Sequence, residues 1–206
     1  KATAIPEPKE KSLAEKVESF AAELTQYQNQ DYAADYCEAL LALEKTGASD
    51  QLMADVTMQL YRAMAYKDEY EVARLLTHPD TQADLNRQFK SGSKIALNLA
   101  PPLMAQVDPI TGEPAKQEFG PWILPVLSGL KRLKALRGTL WDPFGYTQER
   151  KLERGLRDRY LALVQACAED AGLQANLEQA TALMARIKGF GPVKLRNIKT
   201  FQVALT

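Results

Sequence analysis

The stretch SLAEKVESFAAELTQY, residues 12–27, indicates the fold class of this chain. Its apolar side chains recur at steps of four and three residues, which places them on one face of an α-helix. Ser12 and Glu15 have the spacing of a capping box, in which each side chain accepts a hydrogen bond from the backbone N–H of the other residue. The stretch therefore predicts an amphipathic helix with an inward stripe of Leu13, Val17, Phe20, Leu24 and Tyr27.

The same period recurs along most of the chain and predicts further helices. We expect one capped by Asp31 that ends near Gly47, one from Asp50 to about Met64, and a long one capped by Thr147. Residues 66–76, 80–90, 121–136, 174–187 and a short segment after Pro192 complete the set. The long helix should bury the stripe Leu152, Leu156, Tyr160, Leu163 and Cys167.

One short segment has the period of a strand instead. KIALNL, residues 94–99, alternates apolar and polar side chains, as a half-buried strand does. The segment 100–121 is rich in proline and glycine and is consistent with a long loop that contains a small hairpin. We therefore predict a mainly α fold: a multi-helix bundle of about eight helices with a minor strand or hairpin element near residues 94–120.

Charge divides the chain into two parts although its net charge is zero. Residues 1–78 carry 14 acidic and 8 basic side chains, a net of −6, whereas residues 120–206 carry 7 and 14, a net of +7. Residues 1–11, KATAIPEPKEK, are typical of a linker that follows another domain. We interpret 12–206 as a single helical domain, with 12–78 as its acidic part and 120–206 as its basic part.

Several classes of function lack their characteristic residues. No apolar run reaches the roughly 18 residues of a membrane span, and no secretory signal is present, so we expect a cytoplasmic protein. The two cysteines, Cys37 and Cys167, and the single histidine, His78, are too few for a cluster or a zinc site. Phosphate-binding and nucleophile motifs are also missing. The sequence therefore predicts no catalytic, cofactor-binding or metal-binding residue in this chain.

Four segments carry more glycine, proline, aromatic and charged residues than a helical bundle needs. They are YKDEYEVARL (66–75), NLAPPL (98–103), LRGTLWDPFGYTQERKLER (136–154) and IKGFGPVKLRN (187–197). In the first, Asp68, Glu69 and Glu71 lie beside Lys67 and Arg74, and we interpret them as a helix surface with local ion pairs. In the others we expect structural turns at Pro101, Pro102, Gly138, Gly145, Gly189 and Gly191.

Cations in the basic part form a candidate interface. Arg150, Arg154 and Arg157 share one face of a helix by their spacing, and Arg137 and Lys194 lie in neighbouring motifs. Two interpretations stay open: the arginines pair with the acidic N-terminal helices, or they form a basic face that docks a catalytic module or an anionic ligand. In the loop before this helix we expect at least two of the aromatic residues Trp141, Phe144 and Tyr146 to be buried.

Taken together, these segments resemble one family. The order YKDEYEVAR, LAPP, D-x-x-TG-x-P, FGPW, K-x-LRGT-x-x-D-x-FG-x-T-x-ER-x-x-ER and GFG-x-VK is similar to the C-terminal domain of indolepyruvate ferredoxin oxidoreductases. The similarity covers about residues 60–197. In that family a histidine usually precedes LAPP, whereas this chain has Asn98. If that histidine has a task, this protein lacks it.

The resemblance implies a function for the parent enzyme rather than for this chain alone. Such enzymes oxidatively decarboxylate aryl 2-oxoacids with thiamine diphosphate, iron–sulfur clusters and coenzyme A, and they reduce ferredoxin. None of those binding motifs lies in these residues. The resemblance therefore implies an accessory C-terminal domain without its own active site, whose partners are the catalytic modules of the same oxidoreductase. Self-association of the chain stays open.

A nucleic-acid-binding module is the alternative. IKGFGPVKLRN resembles a helix-hairpin-helix, in which the backbone N–H groups after a glycine turn hold a phosphate. Lys194 and neighbouring cations add positive charge there. The neutral charge of the whole chain argues against this alternative, because nucleic-acid-binding domains are usually basic.

Overall fold

The computed structural model describes residues 11–88, 96–99, 115 and 117–187 of the chain. These residues form eight α-helices and one two-stranded antiparallel sheet, so the predicted mainly α fold is confirmed. The helices are α1 (Leu13–Tyr27), α2 (Gln30–Glu44), α3 (Asp50–Met64), α4 (Glu69–Leu76), α5 (Pro79–Gln88), α6 (Ile123–Leu130), α7 (Gln148–Glu169) and α8 (Gln174–Arg186). The strands are β1 (Leu97–Leu99) and β2 (Gln117–Phe119).

Two compact units make up the described chain. The first unit contains the chain up to Ala65 together with Arg157–Ala185, and the second contains Tyr66–Leu156 with the described residues 186 and 187. Helix α7 therefore contributes its first residues to the second unit and the remainder to the first. In the described residues, no helix is long and apolar enough to cross a membrane.

Helices α1, α2, α3, α8 and the end of α7 supply the core of the first unit. Its fully buried side chains include large aromatic and aliphatic groups, whose removal from water is the main favourable term in folding. Two buried hydroxyl pairings complete this core: the Tyr36 hydroxyl donates to the carbonyl of Thr57 over 3.0 Å, and the Tyr160 and Thr181 hydroxyls lie 2.7 Å apart. The buried set includes Leu24, Tyr27, Tyr36, Leu43, Val56, Leu60, Met64, Val164 and Leu177.

Side-chain caps define the helix starts, and one differs from its prediction. The capping box of Ser12 and Glu15 is present as predicted. Helix α2, however, is capped by Asn29 rather than by Asp31, because the Asn29 backbone is extended and its Oδ1 accepts from the N–H of Tyr32 over 2.8 Å. Asp31 then lies in the first turn, where its negative charge interacts favourably with the positive end of the helix dipole.

The second unit packs helices α4 and α6 against the small sheet. Its core contains the buried residues Ala73, Phe119, Ile123 and Leu127. Strand β1 pairs with β2 in the register Leu97↔Phe119, so the strand or hairpin element predicted near residues 94–120 is confirmed. The expected helix over 121–136 is α6 followed by a 3₁₀ segment, Lys131–Leu136.

Helix α7 turns a different face inward from the predicted stripe. Tyr160 and Cys167 are buried as expected, but Leu152, Leu156 and Leu163 are only half-buried. Val164 and, at the start of the helix, the carboxylate of Glu153 are buried instead. The apolar spacing alone predicted the wrong buried face, because the first turns of α7 are buried through the ion pairs of Arg150 with Glu69 and Glu153 and not only through apolar contacts.

Candidate functional site

An ion pair between Asp68 and Arg137 lies at the centre of the second unit. Asp68 caps α4, since its Oδ1 accepts from the N–H of Glu71 over 2.9 Å. The Arg137 guanidinium donates from Nε to Oδ2 and from Nη2 to Oδ1 of the same carboxylate, the second over 3.0 Å. Both residues are buried, Asp68 with 3% and Arg137 with 8% of its surface exposed. Bidentate geometry and shared hydrogen bonds are what make a buried pair of this kind tolerable.

Tyr70 links this pair to the loop that follows Arg137. The Arg137 guanidinium lies 5.6 Å from the centroid of the Tyr70 ring, and the Tyr70 hydroxyl donates to Oδ1 of Asp142 over 3.1 Å. Burial raises the pKa of the Tyr70 hydroxyl above its ordinary value, and the nearby Asp142 carboxylate raises it further. Tyr70 therefore stays protonated and remains a hydrogen-bond donor throughout the physiological range.

The buried Asp142 carboxylate determines the shape of the loop 138–145. Its Oδ2 accepts from the N–H of Gly138 over 2.9 Å, and its Oδ1 accepts from the N–H of Phe144 over 3.1 Å. The Phe144 ring meets the Tyr70 ring edge-on at 5.4 Å between centroids. One carboxylate thus connects both ends of the loop to α4.

Two glycines in this loop are needed for different reasons. Gly138 has a φ of 74°, a left-handed conformation that side chains with a Cβ rarely adopt. A Cβ on Gly145 would lie 2.6 Å from Oδ2 of Asp142, so there the constraint is the close approach of a neighbouring side chain. Both residues were predicted as structural turns; Pro101, Pro102, Gly189 and Gly191 lie outside the described residues.

A second group of ion pairs joins α7 to α4. Arg150 binds the Glu69 carboxylate, with 3.3 Å between Nη2 and Oε1, and it also donates to Glu153. The side chains of Arg150, Glu69 and Glu153 are all largely buried. Burial lowers the pKa of Arg150, but the charges of Glu153 and Glu69 outweigh it, so the net effect is a raised pKa. Arg154, one turn on, donates to the carbonyl of Gly145 over 2.7 Å.

The four arginines predicted to form an interface are therefore mostly engaged within their own unit. Arg137 and Arg150 pair with carboxylates of the acidic part, which corresponds to the first of the two interpretations above. Arg157 belongs to the first unit, where it binds Asp158 over 2.7 Å and lies 5.8 Å from the centroid of the Tyr32 ring. Lys194 lies outside the described residues.

The acidic residues of the first motif are also not a solvated surface. Glu71 does form the expected local ion pair, with 2.8 Å between its Oε2 and Nε of Arg74. Asp68 and Glu71 are buried, however, because the helix that carries them lies under the loop of residues 137–145. Burial lowers the pKa of the Lys134 amine, the charges of Arg137 and Arg74 lower it further, and the opposing effect of the Glu71 carboxylate is smaller.

The loop that these ion pairs support carries apolar side chains into solvent. Leu140, Trp141 and Tyr146 are 85%, 82% and 56% exposed, and Phe144 is half-buried, so the expected burial of at least two of the three aromatic residues is wrong. The reason is that Asp142, and not an aromatic ring, anchors the loop. We call residues 139–146 the Trp141 loop. Beside it lies a shallow cavity of about 250 Å³ whose lining includes Lys151 and Arg154.

Asp142 and Glu153, the two buried carboxylates of the segment 136–154, were not predicted from the sequence. One feature of the sequence could have indicated that these carboxylates are buried. Their segment combines many charged residues with aromatic residues and glycine, a combination that a solvated loop does not require. Asn98 is exposed in β1 and lies opposite Glu118 of β2.

The chain matches one known protein family. A family described as a family of unknown function, DUF6537, matches residues 13–206, which is almost the whole chain. The chain belongs to this family. No curated protein and no solved structure matches it. Because the function of this family is unknown, membership in it assigns no activity to the chain. It supports neither the presence nor the absence of a relationship to indolepyruvate ferredoxin oxidoreductases.

Metal and cofactor binding can be considered only for the described part of this DUF6537 chain. Within that part, no group of three or more histidine, cysteine, aspartate or glutamate side chains is placed to hold a metal ion. The buried carboxylates of Asp68, Glu71 and Glu153 instead have arginine partners. The Asp142 carboxylate accepts from two backbone N–H groups and from the Tyr70 hydroxyl. What this arrangement can do is hold the Trp141 loop in one conformation.

Proposed function

We propose that the chain is an accessory domain of an indolepyruvate-type 2-oxoacid:ferredoxin oxidoreductase, and that it docks to the catalytic modules through the Trp141 loop. The order of motifs supports the family assignment. In that assignment thiamine diphosphate, iron–sulfur clusters and coenzyme A are bound by other parts of the parent enzyme, and this chain contributes assembly rather than chemistry.

One observation carries the docking role: Leu140 and Trp141 are almost fully exposed on a loop whose backbone is held by a buried carboxylate. Exposure of tryptophan and leucine side chains to water is unfavourable, and a partner that covers them removes this unfavourable free energy. A loop that is already ordered loses little conformational entropy on binding, which favours it as an anchor.

Charge beside the loop suggests the character of the partner surface. Lys151 and Arg154 line the cavity together with Leu140 and Tyr146, so that side of the Trp141 loop is basic. A complementary surface would have an apolar depression for the indole ring and carboxylates at its rim. In this proposal the loop makes the contact with the partner, and the buried arginines support the loop.

The test uses the complete gene product that carries this chain. Leu140→Ser combined with Trp141→Ser removes the exposed apolar surface without touching the buried ion pairs. We expect normal helix content by circular dichroism, but a domain that protease releases readily and a loss of at least about tenfold in 2-oxoacid-dependent ferredoxin reduction. Leu41→Ser, at a 53% exposed position on α2, is the matched control and should leave both unchanged.

Two results would contradict the proposal in different ways. A gene product that neither contains nor associates with a thiamine-dependent catalytic module would remove the family assignment. A complete enzyme in which the double variant assembles and turns over like the wild type would keep the family but exclude the Trp141 loop as its docking surface.

A further inference from the structure

A groove of about 470 Å³ lies between helices α3 and α8 of the first unit. The starts of the two helices are joined, since Nε2 of Gln174 donates to Oγ1 of Thr46 over 3.3 Å. Each wall is one face of a helix, because the lining residues recur at helical spacing. They include Gln51, Asp55 and Gln59 on α3, and Glu178, Ala182 and Ala185 on α8. A groove of this size can hold a small organic molecule.

Two carboxylates line the groove without a basic partner. Asp55 belongs to one wall and Glu178 to the other. In the described part of the chain neither forms an ion pair, and no described residue that lines the groove is basic. Gln51 donates from Nε2 to Oδ2 of Asp55 over 2.8 Å, which orients that carboxylate but leaves its charge in place. The groove is therefore negative and favours a cation.

A buried amide in the same groove has a donor without an acceptor. Gln59 lines the groove and is only 8% exposed. Its Oε1 accepts from Nη1 of Arg62 over 3.2 Å, so the remaining amide atom, Nε2, is the donor. Among the described residues no acceptor pairs with this Nε2. A largely buried N–H group gains free energy from an acceptor, so the amide favours a ligand that presents an oxygen atom.

Apolar side chains complete the lining and suggest what joins the two polar groups of a ligand. Leu52 lines the groove on α3, and Ala182 and Ala185 line it on α8. Methylene groups pack favourably against such side chains. Asp55 and Gln59 are four residues apart, which is about 6 Å along the helix. A cation and an acceptor oxygen joined by a short methylene chain would match this spacing.

We propose that this groove binds a small aliphatic amine that also carries a neutral carbonyl group. The ammonium group pairs with Asp55 and Glu178, the methylene chain packs against the apolar lining, and the carbonyl oxygen accepts from Nε2 of Gln59. A ligand with a carboxylate in place of the carbonyl group would be repelled by the two acidic side chains, so the groove should discriminate against amino acids. The site lies in the first unit and does not depend on the docking role of the Trp141 loop.

Calorimetric titration of the 206-residue chain with δ-aminovaleramide tests the site. Its ammonium nitrogen and carbonyl carbon lie about 6 Å apart when the chain is extended. We expect saturable binding with a Kd of about 1 mM or lower. Valeramide lacks the ammonium group, pentylamine lacks the carbonyl group and δ-aminovalerate has a carboxylate instead, and each should bind at least about tenfold more weakly. No saturable binding of δ-aminovaleramide up to about 10 mM, or equal binding of any of the other three compounds, would overturn the proposal.

Variants assign the binding to the groove. Asp55→Asn and Glu178→Gln each remove one carboxylate and should weaken δ-aminovaleramide binding by about tenfold. Gln59→Leu should weaken it by about fivefold but leave the binding of pentylamine unchanged, because pentylamine has no group for the amide. Asp35→Asn removes the same charge at an exposed position of α2 outside the groove and should bind like the wild type. Circular dichroism checks that each variant is folded. Wild-type affinity in any of the three groove variants, or an equal loss in the control, would overturn the assignment.

Discussion

Asp68 and Arg137 are separated by 69 positions in the chain and form a buried bidentate ion pair. The pair joins the N-terminus of α4 to the end of the 3₁₀ segment, so it connects two of the segments that stood out in the sequence. The same carboxylate also caps α4. One side chain therefore begins a helix and holds the residue from which the Trp141 loop departs.

Arg137→Ala should destabilise the chain by about 3–5 kcal/mol, because it leaves the buried Asp68 carboxylate without its counter-charge. Denaturant unfolding followed by circular dichroism measures the change. Arg132→Ala, at an exposed position of the same 3₁₀ segment, is the control and should alter the free energy of unfolding by less than about 0.5 kcal/mol.

A double variant checks the cause of that loss. Asp68→Asn keeps the helix cap but removes the charge. Combined with Arg137→Met, it should cost clearly less than the sum of the two single substitutions, since no unpaired charge then remains buried. Strict additivity would mean that the two side chains do not interact as the structure indicates.

Gly145→Ala should destabilise the chain by about 1–3 kcal/mol. The new Cβ would lie 2.6 Å from Oδ2 and 2.9 Å from Cγ of Asp142. That carboxylate cannot move away without breaking its hydrogen bonds with Gly138 and Tyr70. Thermal or denaturant unfolding measures the loss. At Gly129 no atom lies within 4 Å of the position that a Cβ would take. Gly129→Ala should therefore stabilise α6 by about 0.5–1 kcal/mol. Equal effects of the two substitutions would exclude the close contact as the cause.

Arg150→Glu combined with Arg154→Glu should lower the melting temperature of the isolated chain. The first substitution places a carboxylate beside Glu69 and Glu153 in a buried site, and the second removes the hydrogen bond to the Gly145 carbonyl. Differential scanning calorimetry measures the shift. Lys151→Glu adds a negative charge at the exposed position between them and should change the melting temperature little. A double variant as stable as this control would mean that the arginines are free for an external partner.

Stability should fall as the pH rises above about 10. Burial raises the pKa of Tyr36, Tyr70 and Tyr160, so above the ordinary tyrosine pKa the unfolded chain releases protons that the folded chain retains. Each such tyrosine lowers the free energy of unfolding by about 1.4 kcal/mol per pH unit in that range. Absorbance titration should show at least three of the eight tyrosines ionising only as helix content is lost.

Tyr70→Phe should reduce the number of late-ionising tyrosines by one and make the alkaline loss of stability shallower. Tyr146→Phe is the matched control, because its side chain is exposed beside the same loop. Ionisation of all tyrosines before any loss of helix would contradict the burial of these hydroxyls.

Local chemistry explains the part of the fold that could be predicted. The stripe of α1, its capping box, the span of α3 and the cap of α7 by Thr147 depend on residues within one or two helical turns. Strand β1 was likewise visible as an alternation over a few residues. Even the error at the start of α2 is local: Asn29 and Asp31 are both competent caps, and only the backbone conformation chooses between them.

The sequence by itself determined that this chain is helical, where most of its helices begin and end, and which segments differ from an ordinary bundle. Only the tertiary structure decided which charged residues are buried and which aromatic residues are exposed. Glu153 is inside because Arg150 and Glu69 meet there, and Trp141 is outside because Asp142 already anchors its loop. Helical period and caps are properties of neighbouring residues, whereas burial of a charge is favourable only when its partner arrives from a distant part of the chain.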